Sequence, residues 1–193
     1  MKTIHRNHSL SEKFTSEILA RKDFSAPNLV LPEMKKALYP ESEIFASLNH
    51  WEETDRFLLK NLIIESVRKM ETADGFITDQ VFQDHHHHLD LRFISELSKV
   101  IGDRHFIVGP EFSKVPPFLQ SRLLDELIYH DISGVMYDVR GIDMDDFNAL
   151  QPLAKLKIHA KKRIVITPVV KDEAQMKRLI GSIPFEVVSI HGE

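Results

Sequence analysis

Four consecutive histidines bracketed by acids, Asp84-His85-His86-His87-His88-Leu89-Asp90, form the most unusual chemistry-bearing run in the chain. Imidazole and carboxylate together ligate Zn²⁺, Mn²⁺ or Fe, so Asp84, His85 and His86 are candidate metal ligands. Successive residues on a helix diverge by about 100°, so four in a row cannot all face one ion. The alternative is a solvated loop leading into a helix, with Asp84 as its cap. A second candidate is Asp138-Val139-Arg140, an acid and a guanidinium two residues apart, suited to a substrate clamp or an acid–base pair. Asp143, Asp145 and Asp146 read instead as a helix N-terminus, where acids complement the dipole. Cysteine is absent, which removes thiolate nucleophiles, disulfides and Cys-type zinc sites together. There is no Walker-type or Rossmann-type glycine loop and no serine in an elbow-like setting.

These residues need elements to hold them, and the chain from Gly75 onward supplies a strand–helix alternation. Short apolar runs at Gly75–Thr78, His105–Val108, Gly134–Tyr137, Arg163–Ile166 and Phe185–Ile190 read as five strands. Amphipathic segments between them predict helices over Leu89–Val100, from Pro117, over Asp145–Lys157 and over Lys171–Ile180. Such alternation argues for a parallel sheet with right-handed crossovers. Ligands gather at the carboxyl ends of parallel strands, which collects Asp79, Asp138, Arg140 and Thr167 as the candidate catalytic pocket, with Glu111, Ser189 and His191 at neighbouring exits.

Before Gly75 the signals are weaker. Residues 1–50 read as an irregular extension with a short helix over Ser11–Arg21 and short strands at Asn28–Leu31 and Ile44–Leu48, and 51–193 as a single α/β domain. A helix over Glu52–Glu71 carries Phe57, Leu58, Leu62, Ile63, Val67 and Met70 on one stripe, with Asn49 and Glu52 at capping-box spacing. That stripe predicts packing against the sheet. A second copy of the chain, giving a homodimer, is the alternative cover.

Composition narrows the function classes. Hydrophobic residues make up 42% and charged residues 28%, a balance that supports a folded core, and a net charge of −4 gives no pull toward nucleic acid or anionic lipid. No apolar run approaches the roughly 20 residues a membrane span requires, and the first residues, MKTIHRNHSLSEKF, lack the apolar stretch of a signal peptide. The expectation is a cytoplasmic protein with no nucleic-acid or membrane partner.

The segment Val135-Met136-Tyr137-Asp138-Val139-Arg140-Gly141-Ile142-Asp143-Met144-Asp145-Asp146-Phe147 resembles the third strand and following loop of a response-regulator receiver domain, and Ile164-Val165-Ile166-Thr167-Pro168 resembles its fourth strand. The resemblance covers about residues 75–191. It implies a flavodoxin-like fold, with a five-stranded parallel sheet and flanking helices behind an N-terminal helical region. It also implies Asp138 as phospho-acceptor, Thr167 on the phosphoryl group and Mg²⁺ or another divalent metal as cofactor. Only Asp79 stands where receivers carry paired acids, and Ser189 sits nearest the place of the usual Lys. Phosphoryl transfer needs both charges, so the expectation is a degenerate, receiver-like signalling or scaffold module that acts through a protein partner.

Two other readings run beside it. The same βα repeats fit a small or partial (β/α)8 barrel, and then the strand-end acids serve a barrel-type enzyme or metabolite-binding protein. Asp84-His85-His86 also resembles the short signature of the DHH phosphoesterases, which implies a metal-dependent phosphoesterase.

Overall fold

The strands after residue 74 are buried on both faces, which is why they read as unbroken apolar runs rather than alternations. The computed structural model describes residues 2–6, 15–20, 43–48, 55–83, 88–161 and 163–191. Its strands are β1 (Lys2–Arg6), β2 (Thr15–Ala20), β3 (Glu43–Ser47), β4 (Gly75–Thr78), β5 (His105–Val108), β6 (Gly134–Asp138), β7 (Val165–Val170) and β8 (Val187–Ile190). The helices are α1 (Arg56–Lys69), α2 (Leu91–Ile101), α3 (Pro117–Ile128), α4 (Phe147–Ala160) and α5 (Glu173–Ser182).

Six strands, β3 to β8, run parallel, each beside its successor in sequence, and the sheet curls. β1 lies parallel to β8 and antiparallel to β2, which lies antiparallel to β3, so the ring closes. The open, five-stranded flavodoxin-like sheet is thereby corrected to the barrel alternative. A flavodoxin-like sheet sets its first strand between the second and third, whereas here the spatial order is the sequence order. The short helix expected over Ser11–Arg21 is also corrected, because Thr15–Ala20 is a strand. The expected strand at Asn28–Leu31 and the Asn49/Glu52 capping box lie outside the described residues.

Closing the sheet creates two cores. Phe45, Ile77, Ile107, Met136 and Val169 form a small cluster inside the ring. The outward residues of the same strands, such as Phe76, Phe106, Val135 and Ile166, join the helices in a larger layer. Gly75 belongs to the inner set because a Cβ there would lie 2.5 Å from the Phe45 ring.

Among the described residues, four of the five helices are started by an aspartate whose carboxylate accepts backbone N–H groups: Asp55, Asp90, Asp146 and Asp172. Each such cap stabilises its helix by about 1 kcal/mol. α3 instead opens on Pro117, whose missing N–H costs nothing at that position. α1 packs on the ring through Leu59, Ile63, Val67 and Met70, while Phe57 and Leu58 from the expected stripe face solvent. Among the described residues, no helix is long and apolar enough to cross a membrane.

Candidate functional site at the carboxyl ends of the strands

Because β3 to β8 run parallel, their exits share one rim, and inward-pointing positions near those exits line its mouth. Inward alternation follows from the inner cluster. Phe45 inside places Ser47 inside, Ile77 places Asp79, and Met136 places Asp138. Val169 places Thr167 one step deeper, and Val187 places Ser189 and then His191. Asp138 lies opposite Val169 and Val169 opposite Ser189, so Asp138 and Ser189 share a layer two strands apart, about 10 Å.

The structure brings Asp79 and Asp138 to this rim. Asp138 ends β6 in a tight turn. Its Oδ1 accepts the Arg140 backbone N–H and Nε, both at 3.0 Å, and its Oδ2 accepts an Arg140 guanidinium N–H at 2.8 Å. Burial pushes the Asp138 carboxyl up. The Arg140 hydrogen bonds and the fields of Arg140 and His191 outweigh it and hold the carboxyl below its usual range. An anionic acceptor therefore stands at the mouth across the neutral range.

Asp79 follows β4 and lies over Gly109, with Oδ1 accepting the Glu111 backbone N–H at 2.9 Å. Glu111 belongs to a short 3-10 turn, Pro110–Lys114, and its carboxylate accepts from Lys114 at 2.7 Å. The Glu111 hydrogen bond raises the Lys114 ammonium against its burial, and the fields of Glu111, Asp79 and Asp138 raise it further. Lys114 thus sits within electrostatic reach of both strand-end acids, a link the sequence alone did not signal.

Thr167 is not at an exit. β7 runs through Pro168 to Val170, with Thr167 opposite Met136 and Pro168 opposite Tyr137. Ending that strand at Ile166 misplaced its exit, because the one N–H missing at Pro168 removes a single ladder bond and β7 continues through it. Thr167 is buried inside the ring, below Asp138. His191, at the exit of β8, is 1% exposed, with its backbone N–H donating to the Val170 carbonyl at 2.9 Å. Period-two alternation from Val187 is the signal that turns it inward.

Ser47 was missed by the sequence reading, whereas Ser189 was placed at a strand exit without a role as a buried hydroxyl. Ser47 and Ser189 are buried, and their hydroxyls have no hydrogen-bond partner among the described residues. Both occupy inward positions at the carboxyl end. The loops around Arg140 are fixed by Gln175 on α5, itself buried. Its Nε2 donates to the carbonyls of Val139 at 2.9 Å, Arg140 at 3.3 Å and Ile142 at 3.4 Å, and its Oε1 accepts the Lys171 N–H at 2.8 Å.

Asp84, His85 and His86 lie outside the described residues. Among the described residues, no group of three or more His, Asp or Glu side chains is placed to hold a metal ion. The acidic run after β6 is structural: Asp146 caps α4, Asp143 accepts the Asp145 N–H at 3.0 Å, and Asp145 pairs with Arg178 at 3.6 Å.

No family model and no curated protein matches the chain. Among solved structures it is similar to the putative copper homeostasis protein CutC from Streptococcus agalactiae. That likeness has a TM-score of 0.70 at 13% identity, over 84% of this chain and 80% of that one. It is also similar to 2,3-dimethylmalate lyase, a PEP mutase/isocitrate lyase superfamily member, with a TM-score of 0.50 at 12% identity over 67% of this chain and 55% of that one. At these identities the likeness concerns the fold, and the fold is barrel-type. The resemblance to a receiver domain is overturned, and the signal-transduction and regulatory reading falls with it.

Proposed function

We propose that this chain is a small barrel-type enzyme or metabolite-binding protein whose ligand occupies the mouth at the carboxyl ends of β3 to β8. The observation that carries the reading is that Ser47 and Ser189, buried at inward positions near that mouth, have hydroxyls with no hydrogen-bond partner among the described residues. A buried hydroxyl without a partner costs about 1–3 kcal/mol, and a polar ligand supplies the missing bonds. Asp138, kept anionic by Arg140, adds an acceptor. His191 adds an imidazole, the side chain best suited to carry a proton near neutrality.

The matching ligand is a small polar metabolite with hydroxyl or carbonyl oxygens. In an enzyme, His191 is the proton carrier and Asp138 stabilises its charged form. In a binding protein, the same groups fix orientation alone. A thermal-shift screen of polyols, sugars and hydroxy acids tests this reading, followed by titration of each hit against Ser47→Ala, Ser189→Ala and Asp138→Asn. Each substitution is expected to weaken binding about tenfold. Affinity unchanged in all three variants would place the ligand elsewhere and end the proposal.

A further inference from the structure

The groups at the mouth narrow the class of the ligand proposed above. Asp79 and Asp138 hold inward positions at the β4 and β6 exits, and a carboxylate accepts hydrogen bonds but donates none. A ligand atom that bonds to either must therefore be a donor. Ser47 and Ser189 present hydroxyls, which donate and accept, and neither has a hydrogen-bond partner among the described residues. Asp138 still has capacity. Its Oδ1 takes two bonds from Arg140 and its Oδ2 takes one, whereas each carboxylate oxygen offers about two lone-pair sites. A ligand hydroxyl meets both demands, since its hydrogen serves a carboxylate and its oxygen a serine.

Charge sets the second limit. At the strand exits Asp138 pairs with Arg140 at 2.8 Å and Glu111 with Lys114 at 2.7 Å. Lys171 and Asp172 follow β7 in succession and cancel one another. On the two strands that close the ring, Arg6 lies opposite Glu17 in the register. Asp79 adds one more acid. Among the described residues, the mouth therefore has no net positive charge to draw an anion, and Asp79 and Asp138 repel one. A cation fares no better, because an ammonium must compete with the Arg140 fork for Asp138 and with Lys114 for Glu111.

We infer that the ligand is an uncharged polyhydroxyl compound, a polyol or small sugar, which donates to Asp138 Oδ2 and exchanges hydrogen bonds with Ser47 and Ser189. This class rests on the mouth being the binding site. An eight-stranded ring has room for one small ligand, and Phe45, Ile77, Ile107, Met136 and Val169 close it from below. Carboxylates and phosphates lack the donors that the two acids require. The groups that select a hydroxyl thus also exclude an anion.

Titration calorimetry of the full chain against matched compounds at pH 7 is the test. One set is sorbitol, gluconate and glucamine, which share a skeleton and differ in charge; glucose with glucuronate and erythritol with erythronate are the others. In at least one set the neutral member should bind about tenfold or more tightly than its charged counterparts. Asp138→Asn keeps an acceptor but removes the charge and releases Arg140. It should weaken the neutral ligand about tenfold and strengthen the matching anion, which reverses the preference.

A charged member that binds more tightly in wild type, yet is weakened by Ser47→Ala or Ser189→Ala, overturns the polyhydroxyl class and leaves the mouth as the site. A neutral ligand indifferent to both serine substitutions and to Asp138→Asn lies elsewhere, and ends both readings. Absence of binding by every compound up to about 10 mM overturns the class as well.

Discussion

The Asp79 carboxylate rests against the α-carbon of Gly109, so close that a Cβ there would lie 2.6 Å from Oδ1. The contact leaves room for hydrogen only, and it directs Oδ1 onto the Glu111 N–H. Gly109→Ala should displace Asp79, break that bond and destabilise the fold by about 1–2 kcal/mol, read by urea denaturation. An unchanged midpoint would mean the carboxylate moves aside without loss.

Gln175 joins the β6 exit to the β7 exit through a single buried amide. Gln175→Leu keeps the volume but strands the Val139 carbonyl and the Lys171 N–H, and should cost about 2 kcal/mol. It should also loosen the Arg140 turn, so that the Asp138 carboxyl rises toward its ordinary value in a carbon-detected NMR titration. Loss of stability with an unmoved Asp138 titration would restrict Gln175 to a packing role.

Acid should weaken the fold through two carboxylates. Burial raises Asp90, but its bond to Lys60, the Phe93 N–H and the fields of Lys60 and Arg56 leave it below the usual range. Asp138 is lowered similarly. A folded pKa below the unfolded one gives stability that is complete above the unfolded value and is lost as pH falls through the folded one. Unfolding free energy should therefore be level from neutrality to about pH 5 and drop below about pH 4. Asp90→Asn should flatten that limb in pH-dependent denaturation, and an equally steep limb would assign it to other groups.

Gly75 leaves no space for a side chain. A methyl group there meets the Phe45 ring at 2.5 Å and the His105 Cβ at 2.8 Å. Gly75→Ala should cost about 2–3 kcal/mol in thermal unfolding, while Gly141→Ala, where nothing lies within 4 Å, should stay within about 0.5 kcal/mol of wild type.

Much of the strand–helix grammar was legible from Gly75 onward. The strands Gly75–Thr78 and His105–Val108 and the helix from Pro117 stand where apolar runs and punctuation place them. Elsewhere local signals competed and lost. The fourth apolar run read as ending at Ile166, yet ladder bonds on both sides carry β7 to Val170. Phe57 and Leu58 fit the periodicity of α1 but overhang its buried face, where Leu59 lies instead.

The candidate site divides in the same way. Asp138 and Asp79 were legible because a polar residue just after an apolar strand needs nothing beyond strand direction to be placed at the rim. Ser47 and Lys114 were not, since a serine within an apolar run is silent until its inward orientation is known. Lys114 reaches the acids only through the turn that follows β5.

By itself, the order of residues determined a parallel α/β chain with acids at its strand exits, because alternation, caps and strand-end chemistry are local. Whether the sheet stays open or curls shut was decided only in three dimensions. An open sheet and a ring share the same βα units and differ in which strands become neighbours. Here β8 meets β1, at a separation in sequence no local pattern encodes. That one pairing turns a row of exits into a mouth.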